Sequence, residues 1–192
     1  MTDTATKKAK PPRMQIFRKQ DGKPLTEDQM RSEGLDDSVM TGFGKLRSSF
    51  EEAPAGKHVE VEQVRCLFSE DKDDGLSLTY AWFKSGFLLP RHSHDADCIY
   101  YVLGGELRMG TQVLRKGDGV FVPANMAYAY ETGPEGVEVL EFRNATRFNI
   151  LYKSGEHGHW DAMANIFRQR ISIWEEETVP PSDRPRVAAD AE

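Results

Sequence analysis

From residue 58 to residue 152 the apolar positions fall mostly on every second residue, the period of a strand with one buried face. Segments 58–68, 76–83, 98–103, 106–114, 119–122, 127–130, 137–142 and 147–152 carry this alternation, and turn-forming runs such as DKDDG, LGG, KGDG and TGPEG separate them. Short strands at this spacing predict an all-β protein, a jelly-roll β-barrel. Past Lys153 the period lengthens. Trp160, Met163, Ala164, Phe167, Ile171 and Trp174 fall at i, i+3, i+4, i+7, i+11 and i+14, a single apolar stripe. They predict a C-terminal α-helix docked on the barrel or on a partner subunit. Ahead of the barrel, TEDQ at 26–29 has the spacing of a capping box and predicts a helix start. Leu35, Val39, Met40 and Phe43 predict a second short helix over 36–46, broken by glycines at 42 and 44. The chain thus divides into a disordered tail (1–13), a partly helical N-terminal extension (14–56), the barrel (57–153), the helix (154–178) and a second disordered tail (179–192).

Composition narrows the function classes. At 192 residues with 39% hydrophobic content the chain can bury a core of one modest domain. A net charge of −6 with mixed signs excludes a nucleic-acid binder, and Lys7, Lys8, Lys10 and Arg13 read as a solvated leader. No run approaches the ~18 apolar residues of a membrane span, and the start has no apolar export segment. Cys66 and Cys98 read as reduced thiols. These features together predict a cytoplasmic protein with a small-molecule partner, without nucleic acid or membrane.

Candidate chemistry sits between Gly86 and Tyr128. Side chains at i and i+2 of a strand point the same way, so His92 and His94 can converge on one ion from a rigid support. Imidazole suits zinc, iron, copper and nickel. Parity carries Cys98, Tyr100 and Val102 inward with them, leaves Ile99 and Tyr101 outside, and brings Tyr128 and Tyr130 to the same cavity. Two imidazoles, a thiol and up to three phenols make a polar pocket, which reads as a binding site more readily than as filler. Asp95 and Asp97 either offer the carboxylate of a 2-His-1-carboxylate set or are solvated turn residues. A second His-X-His, His157 and His159, contains Gly158 and reads as loop, and His58 reads as an exposed strand start.

The frame around the histidines runs Gly86-X5-His92-X-His94-X3-Cys98-X6-Gly105, then Gly117-X5-Pro123-X-Asn125-X2-Tyr128. It resembles the two motifs of the cupin superfamily, G-X5-H-X-H-X3,4-E-X6-G and G-X5-P-X-G-X2-H-X3-N. Gly86, His92, His94, Gly105, Gly117 and Pro123 match at the family's spacing. Cys98 stands where the family has its glutamate and Tyr128 where it has its third histidine; Asn125 and Thr132 replace a glycine and an asparagine. The resemblance implies the cupin jelly roll and a divalent first-row metal ion, iron or zinc ahead of nickel or manganese. It implies His92, His94, Cys98 and Tyr128 as its ligands, with Tyr128 and Tyr100 as catalytic proton carriers. Cysteine dioxygenases also carry Cys at the glutamate position, and cupin-type dimethylsulfoniopropionate lyases place a Tyr where Tyr100 stands.

The implied function is a metal-dependent enzyme acting on a small polar metabolite, with dioxygenase-like cleavage ahead of lyase or isomerase chemistry. The competing class is a non-catalytic small-molecule-binding cupin that has lost its metal site. Exposed sheet edges, with an extension and a helix whose apolar faces could cover them or build a two-fold interface, predict a homodimer.

Overall fold

The computed structural model describes residues 13–52, 59–153 and 157–185. Its strands are β1 (Lys23–Pro24), β2 (Met30–Glu33), β3 (Glu62–Ser69), β4 (Ser77–Phe83), β5 (His92–Ser93), β6 (Cys98–Met109), β7 (Gln112–Arg115), β8 (Gly119–Val122), β9 (Glu131–Arg143) and β10 (Phe148–Tyr152). Two helices, α1 (Asp37–Glu51) and α2 (His157–Glu176), flank the barrel strands in sequence. One sheet runs β1-β3-β4-β9-β6-β7 with β8 also on β6, and its pairs are antiparallel. The other runs β2-β10-β5, with β2 parallel to β10. This is the expected jelly roll.

Alternation decides what faces inward. On β6 Cys98, Tyr100 and Val102 are buried while Ile99 and Tyr101 are exposed, and on β9 Val137 and Val139 are fully buried. Gly105 takes φ 74°, and a Cβ there would lie 2.0 Å from the Gly136 carbonyl oxygen, so only glycine fits. Asn125 replaces the second motif's glycine at φ 63°, a conformation that asparagine tolerates better than most residues. Thr132 has a structural post: its hydroxyl accepts from Phe87 N (2.8 Å) and donates to Lys84 O (2.6 Å).

Several sequence expectations need correction. TEDQ does form reciprocal bonds, Thr26 N to Gln29 Oε1 (3.1 Å) and Gln29 N to Thr26 Oγ1 (3.3 Å). No helix follows, because the chain from Met30 pairs with β10 instead. Segments 98–103 and 106–114 are not separate strands, since β6 continues through the glycines to Met109. Segment 127–130 contributes only a bridge between Tyr128 and His92. Helix α1, capped by Asp36 Oδ1 on Val39 N (2.9 Å), runs straight through Gly42 and Gly44. Gly42 is a contact rather than a break: a Cβ there would lie 2.1 Å from the Trp160 ring, so the glycine lets α1 and α2 approach. Val39 is buried in that packing and Phe43 meets Trp160 at 5.3 Å, but Leu35 and Met40 are exposed. The loop expected at 157–159 is the first turn of α2.

The flanking elements serve their own barrel. β1 and β2 extend the β3 and β10 edges. The whole α2 stripe, Trp160 to Trp174, is buried within the chain, so its apolar face is spent there rather than on a partner. Exposed apolar side chains lie on the outer sheet face, where Ile99 pairs in register with Phe121 and Phe142. Part of the expected C-terminal tail is packed as well. The short 3-10 turn Pro181–Asp183 lies on the barrel, with Ser182 N bonded to Glu138 Oε2 (2.5 Å). Residues 1–12 and 186–192 of the expected tails, and His58, lie outside the described residues. Among the described residues no helix is long and apolar enough to cross a membrane.

Candidate functional site

β5 is short because its job is local: it pairs with the end of β10 and presents His92 at the barrel wall. His92 and Tyr128 exchange both backbone bonds (3.0 and 2.9 Å), which sets their rings 4.5 Å apart. The His92 and His94 rings stand 4.8 Å apart, edge to face. Each imidazole is fixed through Nδ1, His92 on the Pro90 carbonyl (2.7 Å) and His94 on the Asn149 carbonyl. A carbonyl can only accept, so Nδ1 carries the proton and Nε2 keeps its lone pair. Asp95 supports this placement. Its Oδ1 accepts from Asn149 N (2.8 Å) while Asn149 Oδ1 accepts from Asp95 N (2.9 Å), holding the carbonyl that fixes His94. Asp97 accepts from Ala124 N (2.8 Å). Both aspartates therefore brace turns.

Both imidazoles line a cavity of about 210 Å³. Tyr100, Tyr130, Tyr152, Glu141, Arg143 and Glu62 supply its other polar groups, and aromatic or aliphatic side chains from β2, β3, β4, β10, α1, α2 and the segment 87–90 make up most of the remaining wall. The polar pocket expected from parity is thus an apolar chamber with a polar end. Phe43 and Leu46 of α1 and Met163 and Phe167 of α2 belong to that wall, so the two helices help to enclose the ligand space.

Burial dominates the electrostatics. It lowers His92 to about 4, with the charge of His94 adding to the effect, and lowers His94 to about 4, with the Arg143 charge adding to it. Both are neutral at physiological pH. Burial also pushes the Cys98 thiol up to about 12 and raises the Tyr100, Tyr128 and Tyr130 phenols. Tyr100 and Tyr128 share a hydrogen bond of 2.6 Å.

Glu141 and Arg143 were missed in the sequence. They follow Val137 and Val139 at the inward parity of β9, and that register was the available signal; charge made it easy to read them as surface. β9 pairs Tyr100 with Glu141 and Cys98 with Arg143. The carboxylate and guanidinium bond at 2.6 Å with side chains only 8% and 2% exposed. Burial works against the Arg143 charge, but Glu141, with Cys98, Tyr100 and Tyr128 adding to it, turns the net shift upward. The guanidinium carbon lies 4.2 Å from the centre of the Phe148 ring. Two residues of the cavity wall each carry a buried atom with no protein partner among the described residues, Arg143 Nε and Tyr130 Oη. Leaving a buried donor unpaired costs about 1–3 kcal/mol, so two in one cavity mark a place where something else completes the bonding.

A metal set is only partly assembled. Neutral imidazoles held at Nδ1 by carbonyls are the state in which histidine ligates a metal. Among the described residues no three His, Cys, Asp or Glu side chains converge, so Cys98 does not join the pair. A thiol is two bonds shorter than the glutamate it replaces. Cys98 and Tyr128 are buried but are not part of the cavity wall, and Tyr128 is the remaining donor next to His92. His159 sits in α2 beside Trp160 and does not line the cavity that holds the pair.

No protein-family model matches the chain, and neither does any curated protein. Some solved structures are similar to it. It is similar to KdgF from Halomonas sp. (20% identity over 47% of this chain and 84% of that one, TM-score 0.41). It is similar to the DMSP lyase DddQ from Ruegeria pomeroyi (25%, covering 56% and 60%, TM-score 0.44) and to the polyketide cyclase RemF from Streptomyces resistomycificus (16%, covering 83% and 99%, TM-score 0.49). The sheet order is that of a jelly roll.

Proposed function

We propose that this chain is a metal-dependent cupin enzyme of the lyase or isomerase kind, acting on a compact substrate held in the barrel chamber. The observation that carries the reading is the imidazole pair. His92 and His94 are neutral, fixed at Nδ1 and edge to face, a state built to offer two Nε2 lone pairs to one divalent first-row ion. Tyr128 is the third donor of the same end. Such an ion supplies Lewis-acid polarisation of a substrate oxygen when bound. The remaining roles belong to side chains: the Tyr100–Tyr128 pair holds a proton beside the imidazoles, and the apolar wall keeps water from the reacting group.

Dioxygenase-like cleavage, first in the sequence-based order, drops behind. Oxygen-activating iron sites commonly need a carboxylate beside two histidines. Asp95 and Asp97 are occupied by backbone N–H groups, and Glu141 by Arg143. The non-catalytic alternative retains one specific support, the incomplete protein ligand set.

Metal analysis of protein purified without added metal, before and after reconstitution with zinc, iron, nickel or manganese, tests the proposal. About one equivalent is expected, lost in the His92→Ala/His94→Ala double variant. A folded protein that takes up none of these ions would refute it. Tyr128→His restores the family's third imidazole and is expected to tighten binding.

A further inference from the structure

The Arg143 guanidinium lies almost wholly out of solvent, in the wall of the chamber, and among the described residues its side-chain hydrogen bond uses Nη1, on Glu141. Its Nε–H faces no protein acceptor among the described residues. The Phe148 ring against its plane limits how the fork can turn. A guanidinium in this position is a preformed receptor for a planar oxyanion. The nearest imidazoles are neutral and do not compete for an anion. Tyr130, whose Oη is also without a partner among the described residues, lines the same chamber. The space between is apolar and ringed by Phe83, Phe87 and Phe167. An apolar cavity of about 150 Å³ already takes benzene, so about 210 Å³ accommodates one ring and a short acid chain.

From these features we infer that the ligand is a monocarboxylic acid with an aromatic or alicyclic body, its carboxylate on the open edge of Arg143 and a second oxygen, hydroxyl or oxo, on Tyr130. The inference rests on the chamber of the proposed function being the substrate site; it does not rest on the metal. Glu141 and Glu62 line the same chamber, so it takes one added negative charge and discriminates against dicarboxylates.

Calorimetric titration with three matched probes, 3-phenylpropanoate, 3-phenylpropanamide and 3-phenyllactate, tests it on metal-stripped and zinc-loaded protein. The acid is expected to bind about tenfold more tightly than the amide, the worth of one charge-assisted hydrogen bond. The lactate is expected to bind a few-fold more tightly than the propanoate, and Tyr130→Phe to erase that gain alone. Arg143→Ala strands the Glu141 charge and endangers folding, so the working variant is Arg143→Gln/Glu141→Gln, which keeps size and neutrality. There the preference for acid over amide is expected to vanish. Equal binding of acid and amide by the parent, or a preference that survives in the double variant, overturns the inference. A preference seen only with zinc loaded also overturns it while leaving the metal reading intact. A preference in protein that takes up no metal supports it and removes the metal reading alone.

Discussion

Strand β9 carries two buried glutamates three residues apart, and their surroundings differ in kind. Glu138 points away from the chamber and is closed on every side: Tyr80 Oη donates at 2.6 Å, Lys19 Nζ at 3.0 Å and Ser182 N at 2.5 Å. Glu141 points into the chamber, and one guanidinium with a donor still open answers it. Both carboxylates are costly to bury. At Glu138 three donors from three parts of the chain offset that cost, which is what a structural post looks like. At Glu141 the bonding is left unfinished, and unfinished bonding in a cavity is the mark of a ligand site. A single strand thus separates architecture from chemistry by side-chain parity.

The largest test of this contrast removes one member of the inward pair. Arg143→Ala is expected to cost about 3–5 kcal/mol by urea unfolding, because a buried charge loses its partner. Glu138→Gln keeps one acceptor oxygen but turns an amide NH2 toward a remaining donor, and is expected to cost about 1–3 kcal/mol without changing carboxylate binding. A loss below about 1 kcal/mol for Arg143→Ala would mean that solvent in the chamber already hydrates Glu141.

Acidification sharpens the inward side alone. His92 and His94 titrate at about 4 in the folded protein against 6.5 for a free side chain, so folding favours their neutral forms. Their contribution is complete above about pH 6.5 and is lost as pH falls from there through 4. Each imidazole is expected to lower stability by up to about 1 kcal/mol per pH unit across that window in metal-free protein. The His92→Ala/His94→Ala variant is expected to show a flatter stability profile over the same range.

The smallest effect separates two buried phenols. Tyr80→Phe loses the bond to Glu138 and is expected to cost about 1 kcal/mol in thermal unfolding, whereas Tyr130→Phe removes a hydroxyl with no protein partner and is expected to cost close to nothing. Equal losses would assign Tyr130 a structural bond and weaken its role toward a ligand.

Much of the fold was legible because its cause is local. Period-two alternation gave the barrel strands, and the 3.6-period stripe from Trp160 to Trp174 gave α2. The misreadings share a tertiary origin. TEDQ made its capping contacts but met a strand edge, and Gly42 weakens a helix in isolation but is needed under the Trp160 ring. At the site, His92, His94, Tyr100 and Tyr128 were legible as a group from spacing and parity. Glu141 and Arg143 were not, because a charge reads as surface until its cross-strand neighbours, Tyr100 and Cys98, are known. The reach of Cys98 was equally invisible, since spacing fixes a backbone position and not the length of a side chain.

The donors that close on Glu138 come from positions 19, 80 and 182, so the post joins the two ends of the chain through the middle of the barrel. Contacts spanning more than a hundred residues close late, after the local strands have paired. Interactions absent from the folding transition state act mainly on the rate of unfolding. The Glu138 cluster therefore works as a kinetic lock: weakening it would leave the speed of refolding nearly unchanged while shortening the lifetime of the native state.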